Sequence, residues 1–543
     1  MSVRDDVLRF LREPHHFVND VDDPLLWNEG LDSFVTPSVL ATGDYGLRPA
    51  QETAWRGLAG ARTGLILGPP GTGKTHLLSW MITAYVATRR RAGKPARVLV
   101  SAFTRNAIGN VLDAVAARQK AHDPTGSAPM YFGDPPDAGL SPQTELLDRR
   151  QGRQLLSTLE TGHCVVGMTV WSLYRLLSEV GIEGGDGRTA PLFDLICIDE
   201  ASQMVLGHGL MALAGLAPRG RVVVAGDDKQ LPPIRAGRPV QIDGRELGGS
   251  LYAFLKSVNA PEFALDETFR LNEPLASFPE RAFYPGRYFS RANQSLTLAE
   301  DWRTGLDPVS EAVLDPDWPL VVLVYDGKSA STVNPFEANL TSRFADELEA
   351  RFAGSPSTNF WSERLAIISP HRAQNAAIRS ALPDRIRDGA FVETVDRIQG
   401  KERDAVIFSY CVSDPEFALA EGEFIFSSER LNVATTRART KLIVLISRRL
   451  LEAVPSDQEL VDRAELLREF VYSCQSIGVT SVQDQTGQPV RVELRGRNFD
   501  GRESDVDLSV EGKPLERGPL LGPKHDGVLA VIRSLAVASD HAS

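Results

Sequence analysis

From Leu47 onward, short apolar runs rich in β-branched residues alternate with longer stretches of helical period. The runs fall at Thr63–Leu67, Val98–Val100, Cys164–Val166, Leu195–Ile198 and Val222–Val224, and each gives way to a polar or glycine-containing segment. Strand alternating with helix predicts a doubly wound parallel sheet of the α/β class, with its chemistry at the carboxyl ends of the strands. Ahead of this pattern, residues 1–46 read as a leader with an amphipathic start (Val7, Leu8, Phe10, Leu11) and a loop-like stretch from Asp20 to Pro37. Past Ser447 the pattern changes. Glu459 to Ile477 carries an apolar stripe of Leu460, Leu466, Leu467, Phe470 and Val471 and predicts a helix, and Val490–Leu494 and Val506–Val510 alternate as strands.

Composition narrows this picture only in places. A chain of 543 residues is too long for one core and predicts three or four units. Hydrophobic residues at 42% and charged residues at 24% are ordinary for a soluble globular protein. No apolar run approaches the roughly 18 residues that span a bilayer, and the start, Met1 to Asp6, is too acidic for a signal peptide, so a cytoplasmic protein without a membrane partner is expected. Cys164, Cys197, Cys411 and Cys474 are far apart and form no Cys-x-x-Cys pair, which argues for reduced packing residues over a zinc or iron–sulfur site. A net charge of −12 argues against coating nucleic acid through bulk positive charge, but leaves room for a local basic groove.

The clearest chemistry is Gly68-Pro69-Pro70-Gly71-Thr72-Gly73-Lys74-Thr75, between the apolar run ending at Leu67 and a helix-like segment from His76 to Val86. Glycine-permitted angles at this spacing turn several N–H groups inward, so that they and the following helix start cradle phosphate oxygens. In such a P-loop Lys74 reaches the β- and γ-phosphates and the Thr75 hydroxyl ligates Mg²⁺. A plain Gly/Pro turn would join strand to helix too, but does not call for the full pattern. Downstream, Leu195–Ile198 runs into Asp199-Glu200. After a P-loop, an acidic pair at a strand end has a defined use: Asp199 holds Mg²⁺ and Glu200 polarises the attacking water, where the bland alternative is a solvated turn. Val222–Val224 leads to Gly226-Asp227-Asp228-Lys229-Gln230-Leu231-Pro232-Pro233, where the carboxamide of Gln230 can report the presence of a γ-phosphate.

Asp199 to Gln203 together with Gly226 to Pro233 resembles motifs II and III of superfamily 1 helicases, in the branch that contains the nonsense-mediated decay RNA helicase and the replication helicase-nuclease. Leu265 to Asn272, followed by Phe278-Pro279 and Phe283 to Gly286, resembles motif IV and its sequel. Val395 to Asp404 resembles motif V, and Arg430 to Arg439 motif VI. The resemblance spans residues 47–450 and implies two RecA-like domains with ATP in the cleft between them, at 47–262 (with a short insertion at 118–162) and 263–450, followed by a small C-terminal α+β segment at 451–543. It implies that Gln51 reads the adenine edge, that Phe269 stacks on the base, that Glu402 lies near the ribose, and that Arg270 and Arg437 reach the γ-phosphate from the second domain. Val98 to Asn106 and Val165 to Thr169 resemble the family's strand-gripping motifs, which assigns phosphate contacts on single-stranded nucleic acid to Thr104, Asn106 and Thr169, with Thr394 in a similar place.

The activity so implied is that of an ATP- and Mg²⁺-dependent helicase or translocase on single strands, DNA favoured over RNA, moving 5′ to 3′. The other reading is a nucleotide-controlled clamp that hydrolyses ATP without unwinding. The chain departs from the pattern in having only about 46 residues before Leu47, too few for the family's accessory β-barrel, in its short insertion, and in Thr435 where leucine is usual. Glu511-Gly512-Lys513 faintly echoes a nuclease strand, but Asp507 lies only four residues before Glu511 on the same strand.

Overall fold

The computed structural model describes residues 23–43, 45–180, 193–233, 241–242, 245–246, 248–353, 360–387 and 389–499. They divide into two compact units, one comprising Met1–Asn293 with Glu429–Thr436 and the other Gln294–Ser428 with Arg437–Ser543. Two units stand where length alone predicts three or four.

The first unit is built on strands β1 (Thr63–Leu67), β2 (Ala96–Ala102), β3 (Met130–Phe132), β4 (Glu145–Leu147), β5 (His163–Gly167), β6 (Phe193–Asp199) and β7 (Leu216–Gly226). A small antiparallel pair follows, β8 (Gln241–Ile242) with β9 (Arg245–Glu246), and then β10 (Glu262–Ala264). All but β8 and β9 join one sheet in the order β10-β1-β7-β6-β2-β5-β3-β4, and every pairing in it is parallel. The apolar runs of the sequence fall within β1, β2, β5, β6 and β7. The order jumps between β1 and β2, which lie on opposite sides of β7 and β6, and a jump of this kind opens a crevice at the carboxyl ends. The insertion at 118–162 contributes β3 and β4 to the far edge, and a parallel pair, β11 (Glu267–Asn272) with β12 (Phe289–Ala292), closes the unit. Residues 263–293, expected at the start of the second domain, thus group with the first.

The stretch from Asp20 to Pro37, expected as a loop, is helical from Pro24 through Thr42, with a π-helical turn at Gly30–Val35. Trp27, Leu31, Phe34 and Val35 are buried against Trp55, Trp80 and Tyr85, and the Trp27 and Trp55 indoles each donate to the other's backbone carbonyl. Pro24 falls in the first turn, where the missing N–H costs nothing, and Pro37 comes two residues after the π-helical turn, where the hydrogen-bond ladder already shifts.

The second unit carries β13 (Leu320–Tyr325), β14 (Leu365–Ser369), β15 (Val392–Thr394), β16 (Arg403–Ser409), β17 (Ala438–Ser447), β18 (Gln475–Gln483) and β19 (Pro489–Arg497), in the order β15-β14-β16-β17-β13-β19-β18. The first five are parallel. The C-terminal segment, expected as a separate small element, is a helix, Gln458–Tyr472, followed by the β18–β19 hairpin, which continues this sheet antiparallel along β13. Val490–Leu494 lies within β19. Val506–Val510, the nuclease-like Asp507–Lys513 and the amphipathic start at Val7–Leu11 lie outside the described residues.

A buried carboxyl organises the strand ends of this unit. Glu337 Oε1 accepts from Tyr325 Oη at 2.6 Å, and Oε2 accepts from Ser409 Oγ at 2.6 Å and Cys411 N at 2.9 Å. Burial pushes its pKa up to about 7 in spite of these donors. A carboxyl raised in the folded state adds stability in full below its unfolded pKa, near 4.3, and that contribution is lost as pH rises through the folded value. Glu337→Gln cannot titrate, so the unfolding free energy of the variant minus that of the parent should move in the variant's favour by about 3 kcal/mol from pH 4 to pH 8. Urea unfolding at the two pH values checks this, and a difference that stays constant would show that folding leaves the Glu337 pKa unshifted.

Candidate functional site

β1 ends in the P-loop, and the helix Lys74–Arg91 starts on its last glycine. Gly71 and Gly73 have φ of +76° and +81°, a region in which residues bearing a Cβ are strained. Gly73 stands at the N-cap without a side-chain cap, so the positive end of an 18-residue helix is directed into the loop. Thr72 Oγ1 donates to Pro69 O at 2.8 Å, and Gly68 N donates to Gly226 O at 3.0 Å, tying the loop to the end of β7. Pro69, Pro70 and Thr72 are buried, and Thr75 is half-buried in the first helical turn. Lys74 Nζ donates to the Gly68 carbonyl. A Cβ on Gly68 would come 2.1 Å from Lys74 Cγ, so the lysine lies along its own loop because that position is glycine.

Gln51 is a buried residue of the helix Pro49–Ala59. Its Oε1 accepts from Arg48 N at 3.0 Å, and its Nε2 donates to Thr72 O at 3.2 Å. The amide therefore clasps the P-loop to the helix start, and a Cβ on Gly73 would lie 2.7 Å from Nε2. On the other side β11 docks along the loop. Phe269 N donates to Gly71 O at 3.0 Å, and Thr268 Oγ1 and Tyr288 Oη donate to Pro70 O at 2.9 and 2.7 Å. A Cβ on Gly71 would come 2.5 Å from Arg270 Cβ, so glycine is required there for its φ and for this approach alike. The Phe269 ring is partly exposed, with the Arg48 guanidinium 5.0 Å from its centroid. Arg270 Nη1 donates to Thr436 O at 3.2 Å.

The acidic pair lies at the end of β6. Asp199 is buried, and its Oδ1 accepts from Glu200 N at 2.9 Å, while Glu200 Oε2 accepts from Gln203 Nε2 at 3.0 Å. Glu200 has φ +52°, a left-handed backbone unusual for a residue with a long side chain. Burial, then the charge of Glu200, raises the Asp199 carboxyl above the ordinary range, with the Lys74 cation opposing. Asp227, at the end of β7, is likewise buried and raised by burial, and again Lys74 opposes. The lysine charge thus acts on two buried carboxylates, and negative charge remains in excess around Asp199, a setting that suits a divalent cation.

Asp227 Oδ2 accepts from Gln230 Nε2 at 2.7 Å and from Tyr284 Oη at 2.6 Å. Asn432 Nδ2 donates to Tyr284 Oη at 2.7 Å and to Lys229 O at 2.8 Å. Gln230 is therefore held by a buried chain that runs from the loop after β7 to the helix Ser428–Thr435. Asp227, Tyr284, Asn432, Thr268 and Tyr288 were not singled out in the sequence, although each stands in or beside a stretch that carries the resemblance.

Thr104 and Thr169 follow β2 and β5, neighbours in the sheet. Each caps the next helix: Thr104 Oγ1 accepts from Ala107 N, and Thr169 Oγ1 from Ser172 N, both at 3.2 Å. Asn106 Oδ1 accepts from Ala138 N at 3.3 Å and so holds the insertion. In the second unit Thr394 ends β15 and precedes the short helix Val395–Ile398 without a side-chain cap bond. Glu402 is ion-paired with Arg439, whose Nε lies 3.0 Å from Glu402 Oε1. Arg437 is buried, and its backbone carbonyl accepts from Arg403 N at 3.0 Å. Gln51, the P-loop, Asp199, Glu200, Gln230 and Phe269 thus lie in the first unit, and so does Arg270, which was expected from the second, whereas Thr394, Glu402 and Arg437 belong to the second.

Two family models, each described as an AAA domain, match residues 51–236 and 247–449. The "DNA replication ATP-dependent helicase/nuclease DNA2" of Mus musculus is 28% identical over 437 residues, covering 76% of this chain and 38% of that protein. The "DNA polymerase alpha-associated DNA helicase A" of Schizosaccharomyces pombe is 24% identical over 490 residues, covering 82% and 70%. Among solved structures, the helicase of PRRSV is 15% identical, with a TM-score of 0.35, over 81% of this chain and 62% of that one. The chain spans well under half the length of the first three curated relatives, 38%, 27% and 26%. The resemblance to superfamily 1 helicases carried by the motifs is borne out by these sequence relatives.

Proposed function

We propose that this chain is an ATP-driven motor of superfamily 1 that moves 5′ to 3′ on single-stranded nucleic acid, DNA in preference to RNA. One observation carries the reading. The sheet order β1-β7-β6-β2-β5 places the P-loop, Asp227, Asp199 and the two capping threonines along one edge, and Ala102, just before Phe103 and Thr104, is the register partner of Asp199. A change in the acidic pair on nucleotide turnover has one strand spacing, roughly 4.8 Å, and two further residues of chain to travel before it reaches Thr104.

The residues fit a nucleotide triphosphate with its metal. The uncapped helix start and Lys74 would hold the phosphates, and Thr75 and Asp199 would hold Mg²⁺, which when bound offsets phosphate charge. Glu200 orients and deprotonates the attacking water, and Gln230, fixed by Asp227, takes the position that senses the γ-phosphate. Arg270 and Arg437 are the candidate arginine fingers. Gln51 and Phe269 are assigned to the adenine, Glu402 to the ribose, and Thr104, Asn106, Thr169 and Thr394 to strand phosphates. Such phosphate contacts position a strand without reading its sequence.

Opening one DNA base-pair step costs about 1.4 kcal/mol on average, well within one ATP turnover. A duplex with a 5′ single-stranded tail tests the reading directly. A motor releases the paired strand in an ATP-dependent reaction that fails on a 3′-tailed duplex. Hydrolysis of ATP with no strand released from either substrate would replace the motor with a nucleotide-controlled clamp.

A further inference from the structure

The helix Val170–Val180 begins one residue after Thr169. Leu173, Leu176 and Leu177 are buried and pin it to the core of the first unit. The opposite face carries Trp171, Tyr174, Arg175 and Ser178, all exposed, at the i, i+3, i+4, i+7 spacing that brings side chains into one stripe. An outward stripe of this kind is ordinarily polar. Here Trp171 is 61% and Tyr174 59% exposed, and the Trp171 ring stands edge-on to that of His208, with centroids 5.2 Å apart. Phe103, also exposed, follows β2, the strand that pairs with β5 ahead of Thr169.

We propose that Trp171 and Tyr174 form a base-stacking platform for the single strand whose phosphates Thr104 and Thr169 contact. This rests on the motor reading above and adds the part of the ligand that phosphate contacts leave unheld, the bases. Aromatic faces beside a cationic side chain are the chemistry that holds single strands without sequence preference, because every base offers a π-face and Arg175 can neutralise backbone charge. A protein partner would also cover exposed rings. The strand-end position beside both capping threonines, with an arginine on the same exposed stripe as the aromatics, favours nucleic acid.

The platform has an internal reporter. The other six tryptophans are 8% exposed or less, so an added quencher that stacks from solvent acts on Trp171. Titration of the full chain with oligodeoxythymidine should quench the solvent-exposed part of tryptophan emission. Trp171→Phe should abolish that quench while keeping affinity, measured by anisotropy of a labelled oligonucleotide, within about threefold. Trp171→Ala and Tyr174→Ala should each weaken binding by about 5- to 150-fold, the usual loss for one stacked base. An unchanged thermal unfolding midpoint shows that these surface variants fold.

Full-strength oligonucleotide binding by the Trp171→Ala/Tyr174→Ala variant would overturn the platform and leave the motor reading standing. A parent chain that binds no oligonucleotide would overturn both. A tryptophan quench that survives in Trp171→Phe would overturn the platform as well, by placing the ligand elsewhere.

Discussion

Lys74→Ala should lower the rate of ATP hydrolysis by at least about 10²–10³-fold and weaken nucleotide binding at the same time. Loss of one well-placed donor to developing charge accounts for a factor of that size. The structure adds a second loss, because the lysine charge opposes the rise of both buried carboxylates, Asp199 and Asp227. Without it both carboxyls move further toward the neutral form, and the site loses its cation for phosphate and its anion for metal together. Alanine fits sterically, since it removes the chain lying against Gly68. Equilibrium binding of a fluorescent nucleotide beside steady-state hydrolysis checks both effects, and a variant that binds nucleotide as the parent does would sink the assignment.

Glu200→Gln should behave differently. Hydrolysis should fall by about 10²–10⁴-fold, the usual range for loss of a general base, with nucleotide binding kept or tightened. Glutamine can still accept from Gln203 through its carbonyl, and it bears the same backbone strain at φ +52°, so stability should hardly change. Removing the Glu200 charge also relieves one cause of the raised Asp199 carboxyl, which moves that group back toward the ordinary range. Single-turnover hydrolysis beside nucleotide affinity separates this variant from Lys74→Ala. Weakened binding in both would show that Glu200 holds the nucleotide and does not act on the water.

The chemistry legible in the sequence was that confined to consecutive residues. The P-loop and the acidic pair are each set by spacing within one strand–turn, and the five apolar runs mark the strands that carry them. Longer-range parts of the site were not legible by spacing. Tyr284 lies 57 residues from Asp227 and 148 from Asn432, and neither separation has a period to read. In the leader, Trp27, Leu31, Phe34 and Val35 do follow helical spacing, bracketed by two prolines. Pro24 opens the first turn, where proline is tolerated, and Pro37 follows the π-helical turn at Gly30–Val35, which no spacing rule marks. The C-terminal hairpin was half read: its second strand alternates as expected, while its union with β13 depends on partners more than 160 residues away.

The central claim is that one sheet edge couples nucleotide turnover to a bound single strand. It is tested most directly by the steady-state rate of ATP hydrolysis with and without single-stranded DNA, and with single-stranded RNA, at one stated salt concentration, since phosphate binding is strongly salt-dependent. The account predicts a clear rise in rate with DNA, a smaller one with RNA, and no rise in Lys74→Ala. Equal rates with and without either nucleic acid would contradict it.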